Sequence, residues 1–217
     1  MAPSAAPSSR DWLRPSAVAL VVANVVPLLG VLWFGWKVFP LLLLFWFENL
    51  IIGAFNVLKM LLASPADGKS WAAKCFLVPF FSFHYGMFTL IHGVFVIGLF
   101  GGQFRHGAPF PGVETVLALI RQEHLGWAIL GLTISHGISF GLNYLGGGEY
   151  RRASLGVLMA QPYGRIVVLH LTILGGAFLM AALGSPVVGL VLLVVLKIGL
   201  DLSAHLKERK RVAAVGE

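Results

Sequence analysis

Charge is scarce in this 217-residue chain: Asp, Glu, Lys and Arg together make up 12% of it. A soluble domain carries about 25%, so this chain cannot cover a water-facing surface with the charge it has. Cysteine is scarcer still. Cys75 stands alone, which excludes an intrachain disulfide and any cysteine-rich zinc or iron–sulfur site. Familiar chemical signatures are missing too. No glycine-rich loop precedes a helix in the phosphate-cradling pattern, and there is no His-Glu-x-x-His run and no Gly-x-Ser-x-Gly elbow. No internal repeat signals an inverted-repeat transporter. What the chain has instead is apolar length. Hydrophobic residues reach 58% and mean hydropathy is +0.86, which also excludes a disordered or collagen-like chain.

The apolar residues fall into runs of about 20, the length that crosses roughly 30 Å of hydrocarbon at about 1.5 Å per residue. Six runs are expected to span: about 16–36, 41–63, 75–100, 125–145, 166–183 and 187–206. The expected fold class is therefore all-α, a polytopic six-transmembrane-helix bundle over residues 15–206. Residues 1–14, rich in Ala, Pro and Ser, read as a disordered tail, and they lack the basic start and small-residue cleavage site of a signal peptide. Residues 207–217 read as a basic tail. Ser64-Pro65-Ala66-Asp67-Gly68 and Gly184-Ser185-Pro186 are turns by composition, and Gly146-Gly147-Gly148 caps a helix.

Lys plus Arg number 16 against 9 for Asp plus Glu, a formal charge of +7. No basic stripe interleaves with exposed aromatics, so nucleic acid is not an expected partner. The excess follows membrane orientation instead. With the N-terminus inside, only Lys37, Arg105 and Arg121 fall outside, which predicts both termini in the cytoplasm and a multi-pass protein of the inner membrane. Two loops carry amphipathic patterns. Val113, Val116, Leu117 and Ile120 predict a short helix on the outer surface, and Leu155, Leu158 and Met159 predict one near the inner surface.

The functional information lies in polar groups at membrane depth, where an ionisable side chain costs several kcal/mol unless paired, neutral or wet. Glu48, Asn49 and Asn56 fall on the second run; His84 and His92 on the third; His136, Ser139 and Asn143 on the fourth; His170 on the fifth; Lys197, Asp201 and His205 on the sixth. Of seven histidines only His106 and His124 belong to the outer loop. The spacings of three, four and seven put the polar residues of the fourth and sixth runs on single faces. Imidazoles and carboxylates from four helices are the donor set of a mixed nitrogen and oxygen metal site. His84, His92, His136, His170, Asp201 and His205 are the candidate ligands for a divalent ion, zinc or iron, with Glu48 as candidate general base. The reaction expected of such a site is metal-dependent chemistry on a lipid-like substrate, with membrane lipid as the surrounding partner. Two other readings use the same residues. Haem b would need facing histidines, His84 with His170 and His92 with His136. A proton or small-solute conduit would use the groups as a relay.

The run Trp46-Phe47-Glu48-Asn49-Leu50-Ile51-Ile52-Gly53 with Asn56-Val57-Leu58-Lys59-Met60 resembles the opening of a multi-spanning bacterial membrane family of unknown function. Phe83-His84-Tyr85-Gly86, Ile91-His92-Gly93 and Ser135-His136-Gly137 with Ser139-Phe140 are similar to that family as well. The resemblance covers the chain from the second run onward. It implies an integral membrane protein and, because the family has no assigned activity, no reaction. More distantly, histidines, an aspartate and serines on spanning helices resemble the membrane-embedded zinc amidohydrolases of the ceramidase and progestin-receptor-like type, which have seven spans.

Overall fold

The computed structural model describes residues 29–64, 70–102 and 110–183, together with Val191 and Val195. Every regular element among them is helical. Helix α1 is Val38–Leu62; α2 is Ser70–Phe95, carried on by a wider π-type turn over Val96–Phe100. Helix α3 is Val113–Gln122, and α4 is Gly126–Ser139, again widened over Phe140–Gly146. Helix α5 is Leu155–Ala160 and α6 is Tyr163–Leu183. Residues 29–34 are helical as well.

Four stretches are long and apolar enough to cross a membrane: Val38–Leu62, Trp71–Phe100, Gly126–Gly146 and Leu155–Gly175. They cover the second to fifth apolar runs. The chain is thus an all-helical protein with the character of a multi-pass membrane protein. The sixth run, Asp201 and His205 included, and most of the first lie outside the described residues. Pro79 sits inside α2 without ending it, as spanning helices allow. The glycine cap holds: Gly148 takes a φ of 69°, open to glycine without cost, and closes the widened end of α4.

The longest interface joins α1 and α2, and it is built from reciprocal aromatic-on-glycine contacts. Trp46 of α1 lies over Gly93 of α2, and Tyr85 of α2 lies over Gly53 of α1. A Cβ on Gly93 would stand 2.5 Å from Trp46 Cε2, and one on Gly53 would stand 2.5 Å from Tyr85 Cε1. Small residues let membrane helices approach closely, where packing rather than the hydrophobic effect drives association. Each ring is also tied by a hydrogen bond: Trp46 Nε1 donates to the Thr89 carbonyl at 2.7 Å, and the Tyr85 hydroxyl donates to the Asn49 carbonyl at 3.1 Å.

Two apolar clusters sit toward opposite ends of the bundle. One gathers Leu42, Leu43, Trp46, Val96, Ile97, Leu169 and Ile173. The other gathers Met60, Phe81, Tyr85, Tyr144, Leu155, Leu158 and Ile166. On α1, Glu48, Asn49 and Asn56 lie between them in sequence register. Helix α4 stands at the edge of the described bundle, with Ile134, Ile138 and Leu142 exposed along one face, as a lipid-facing side requires.

Both amphipathic loops form helices where expected. Helix α3 packs Val116 and Leu119 on the core and leaves Val113 and Leu117 exposed. Helix α5 leaves Gly156, Val157 and Ala160 exposed and turns its other face inward. Leu155 and Leu158 are buried, the Asn56 amide donates to the Leu158 carbonyl at 2.9 Å, and α5 opens the Leu155–Gly175 span. The physical reason is the capture of the Leu158 carbonyl by a buried amide, which draws the short helix into the bundle.

Candidate functional site

The depth of α5 relocates Arg165. Sequence alone places it at a membrane boundary. In the structure it lies in the first turn of α6, just after the Gln161–Pro162 turn, and its guanidinium reaches Glu48 in the middle of α1. Glu48 is ten residues from Val38 and His136 ten from Gly126, so both sit near the middle of their spans, and the Arg165 side chain meets Glu48 there. Arg165 Nη1 donates to Glu48 Oε1 at 2.8 Å. A guanidinium at this depth needs such a partner, because neither charge has bulk water to solvate it.

Arg165 also lines a cleft of about 180 Å³ between α1, α4 and the start of α6. Its polar lining residues are Asn56, Lys59, His136, Ser139, Gln161 and Arg165, and its apolar ones are Ile52, Phe55, Phe140 and Pro162. His136 lies beside Phe55, with ring centroids 6.3 Å apart, and makes no side-chain hydrogen bond among the described residues. Glu48 itself does not line the cleft. It orients Arg165, which does. The carboxylate expected as general base is thus engaged with Arg165.

Lys59 and Gln161 are shared with a second, more open groove of about 550 Å³, which Tyr144, Glu149 and Arg152 also line. Tyr144 bridges helices here: its hydroxyl donates to the Lys59 carbonyl at 2.6 Å, and Lys59 Nζ lies 5.4 Å from the centre of its ring. The cleft thus runs from mid-depth to the Lys59 end of the bundle.

The remaining histidines form a separate seam between α2 and α6. His84 Nδ1 shares a hydrogen bond with the Tyr163 hydroxyl at 2.7 Å. Its ring is held between Phe80 and Phe88, one turn to either side, at 5.3 and 5.0 Å between centroids. Two turns on, His92 Nε2 shares a hydrogen bond with His170 Nδ1 at 2.9 Å, the rings edge to face. Eight residues separate His84 from His92, about 12 Å of helix axis, so the two pairs are distinct rungs and not one cluster. His92 is 2% exposed.

The candidate ligands therefore divide. His84, His92 and His170 share the α2–α6 seam, and His136 faces the cleft beside Arg165. The facing pairs expected for haem, His84 with His170 and His92 with His136, are not the ones formed. Helix rotation settles this: α2 turns both imidazoles toward α6, whereas His136 is on α4 beside Phe55 of α1. Among the described residues no three His, Cys, Asp or Glu side chains converge closely enough to hold one ion. Asp201 and His205 lie outside those residues.

Sequence reasoning did not single out Arg165 or Tyr163. A signal for the first was present. Glu48 in mid-span demands a cation, and Arg165 is the basic residue nearest the start of the fifth run. No curated protein and no solved structure matches this chain. A family model does match, over residues 6–216, and the chain belongs to that family, DUF6498, a family of unknown function.

Proposed function

We propose that this protein is a six-span protein of the inner membrane, both termini cytoplasmic, whose cleft takes the polar head of a lipid-like molecule for chemistry at mid-depth. The observation that carries the reading is the cleft's mixed lining, which sets Arg165, His136 and Lys59 beside Ile52, Phe55 and Phe140. Such a lining matches a head group joined to an acyl chain. Glu48 fixes Arg165, Arg165 and Lys59 offer donors to the head group, and the His136 ring nitrogens offer it a further hydrogen-bonding partner. A lipid with a photoreactive acyl chain tests it. Crosslinks are expected at Ile52, Phe55 and Phe140, and Ser139→Phe, which fills the cleft, should reduce them at least about fivefold. Labelling spread evenly over the exposed faces of α2 and α4 would overturn the reading.

A metal ion is a second reading, favoured by the His92–His170 contact. Two imidazole nitrogens on one tetrahedral ion stand about 3.3 Å apart, so this pair needs to open by only about 0.4 Å to become two ligands. Further donors would have to come from elsewhere, and Asp201 and His205 are the positions in the sequence suited to supply them. Purified protein is then expected to carry about one equivalent of zinc or iron. His92→Ala and His170→Ala should each abolish it, while His84→Ala, whose imidazole is engaged by Tyr163, should retain it. Protein that binds neither metal, or keeps it in both variants, excludes the reading.

A further inference from the structure

We infer that the head group the cleft receives carries a phosphate, and that it enters along the basic groove from the Lys59 end of the bundle. This rests on the lipid-like reading above and names its substrate class. Three cationic side chains mark one continuous path. Arg152 lines the open groove, Lys59 lines both groove and cleft, and Arg165 lines the deep end of the cleft. The carboxylates along it are two. Glu149 sits at the groove, and Glu48 is already engaged with Arg165. The path therefore holds a net positive charge, with Gln161 at the junction as a neutral donor and acceptor.

Arg152 and Lys59 alone would need no ligand, since cations at a membrane boundary serve orientation. Arg165, paired with Glu48 in the middle of α1, does not stand at such a boundary. A guanidinium offers five N–H donors in a planar fork. Glu48 takes a hydrogen bond from Nη1, and no other described residue accepts from this side chain. The open donors belong to a group that lines a cavity, so an acceptor-rich anion is the complement. Phosphate fits best, because its several oxygens accept the fork in bidentate fashion and Lys59 adds a point charge. The apolar lining residues Ile52, Phe55 and Phe140 then account for the attached chain, which a free phosphate lacks.

The full chain in detergent, titrated by native mass spectrometry, separates the possibilities with three probes: a short-chain phosphatidylglycerol, the diacylglycerol of the same chain length, and inorganic phosphate. Phosphatidylglycerol is expected to bind one to one and about tenfold more tightly than diacylglycerol, the worth of one charge-assisted contact. Lys59→Gln and Arg152→Gln should each weaken phosphatidylglycerol several-fold and leave diacylglycerol unchanged. Lys37→Gln, at the opposite end of the bundle, should change neither. Equal binding of the two lipids would overturn the phosphate inference and leave the lipid-like reading standing. Binding of neither lipid would overturn both. Inorganic phosphate that binds and saturates the site where no lipid does would make the source a soluble phosphate, and that too overturns the inference.

Discussion

Glu48→Leu is expected to cost about 3–5 kcal/mol of stability, the usual penalty for leaving one member of a buried pair without its partner. Its carboxylate is 15% exposed and accepts from Arg165 at 2.8 Å. Arg165 is 37% exposed, but exposure at mid-span opens onto the cleft or hydrocarbon, which screens charge less than bulk water does. Arg165→Leu alone should therefore also destabilise, by a similar amount. The two replaced together should recover most of the loss, because apolar residues of similar volume remove both desolvation penalties at once. Thermal unfolding of the four proteins in one detergent gives the coupling energy, expected at about 2 kcal/mol or more. Additive effects of the two single changes would mean that the pair contributes nothing as a pair. The double variant has a second use: it should fold and yet fail to bind the phosphate-bearing lipid, which separates the structural role of the pair from the recognition role of Arg165.

How much of this arrangement is legible in the sequence depends on the kind of feature. Runs of about 20 apolar residues mark three of the four spans to within a few residues, because hydrocarbon thickness and helical rise leave little freedom, whereas the fourth opens at Leu155, ahead of the expected 166–183. The cap at Gly146-Gly147-Gly148 is legible for a similarly local reason. The short runs that carry the family resemblance are legible as motifs, and the structure gives them a physical meaning. Trp46, Gly53, Tyr85 and Gly93 make the α1–α2 contact, and Glu48 and His136 lie at mid-depth.

What is not legible is which polar group meets which. Spacing along one helix fixes a face, but the partner depends on the rotation and axial offset of a second helix, and no local pattern encodes either. His92 faces His170 and not His136 for that reason. Arg165 shows the same limit. The pattern of Leu155, Leu158 and Met159 is as consistent with a surface helix as with a buried one. The amide of Asn56, a hundred residues earlier, fixes which helix that pattern meets. Much of the polar inventory is also compensated pairwise: Glu48 by Arg165, His84 by Tyr163, His92 by His170. One centre holding all the imidazoles is therefore not what the described residues form. The cleft at His136 and Arg165 is where polar side chains remain open toward a cavity.

Gly93→Val should be the most damaging change on the α1–α2 interface. The new Cβ alone would stand 2.5 Å from Trp46 Cε2 and Cζ2, well inside van der Waals contact, and valine adds two methyl groups. The indole is 4% exposed and its Nε1–H is held by the Thr89 carbonyl. Moving the ring therefore breaks a buried hydrogen bond, and moving the helix opens the α1–α2 seam. Overpacking of this kind costs about 1–3 kcal/mol, and the lost hydrogen bond adds about 1 kcal/mol. Gly53→Val, against Tyr85 at 2.5 Å, should behave in the same way through the reciprocal contact. The clash is specific to the ring, so Trp46→Leu combined with Gly93→Val should be more stable than Gly93→Val alone, despite the smaller core side chain. Recovery by Trp46→Leu, measured as the thermal midpoint in detergent, would establish the steric origin. A double variant worse than either single change would place the cost of Gly93→Val in the helix backbone instead. The readout extends to the neighbouring rung. His92 adjoins Gly93 on α2, so a displaced α2 lengthens the 2.9 Å contact with His170. If the histidine pair binds metal, Gly93→Val should lose it without altering a single ligand.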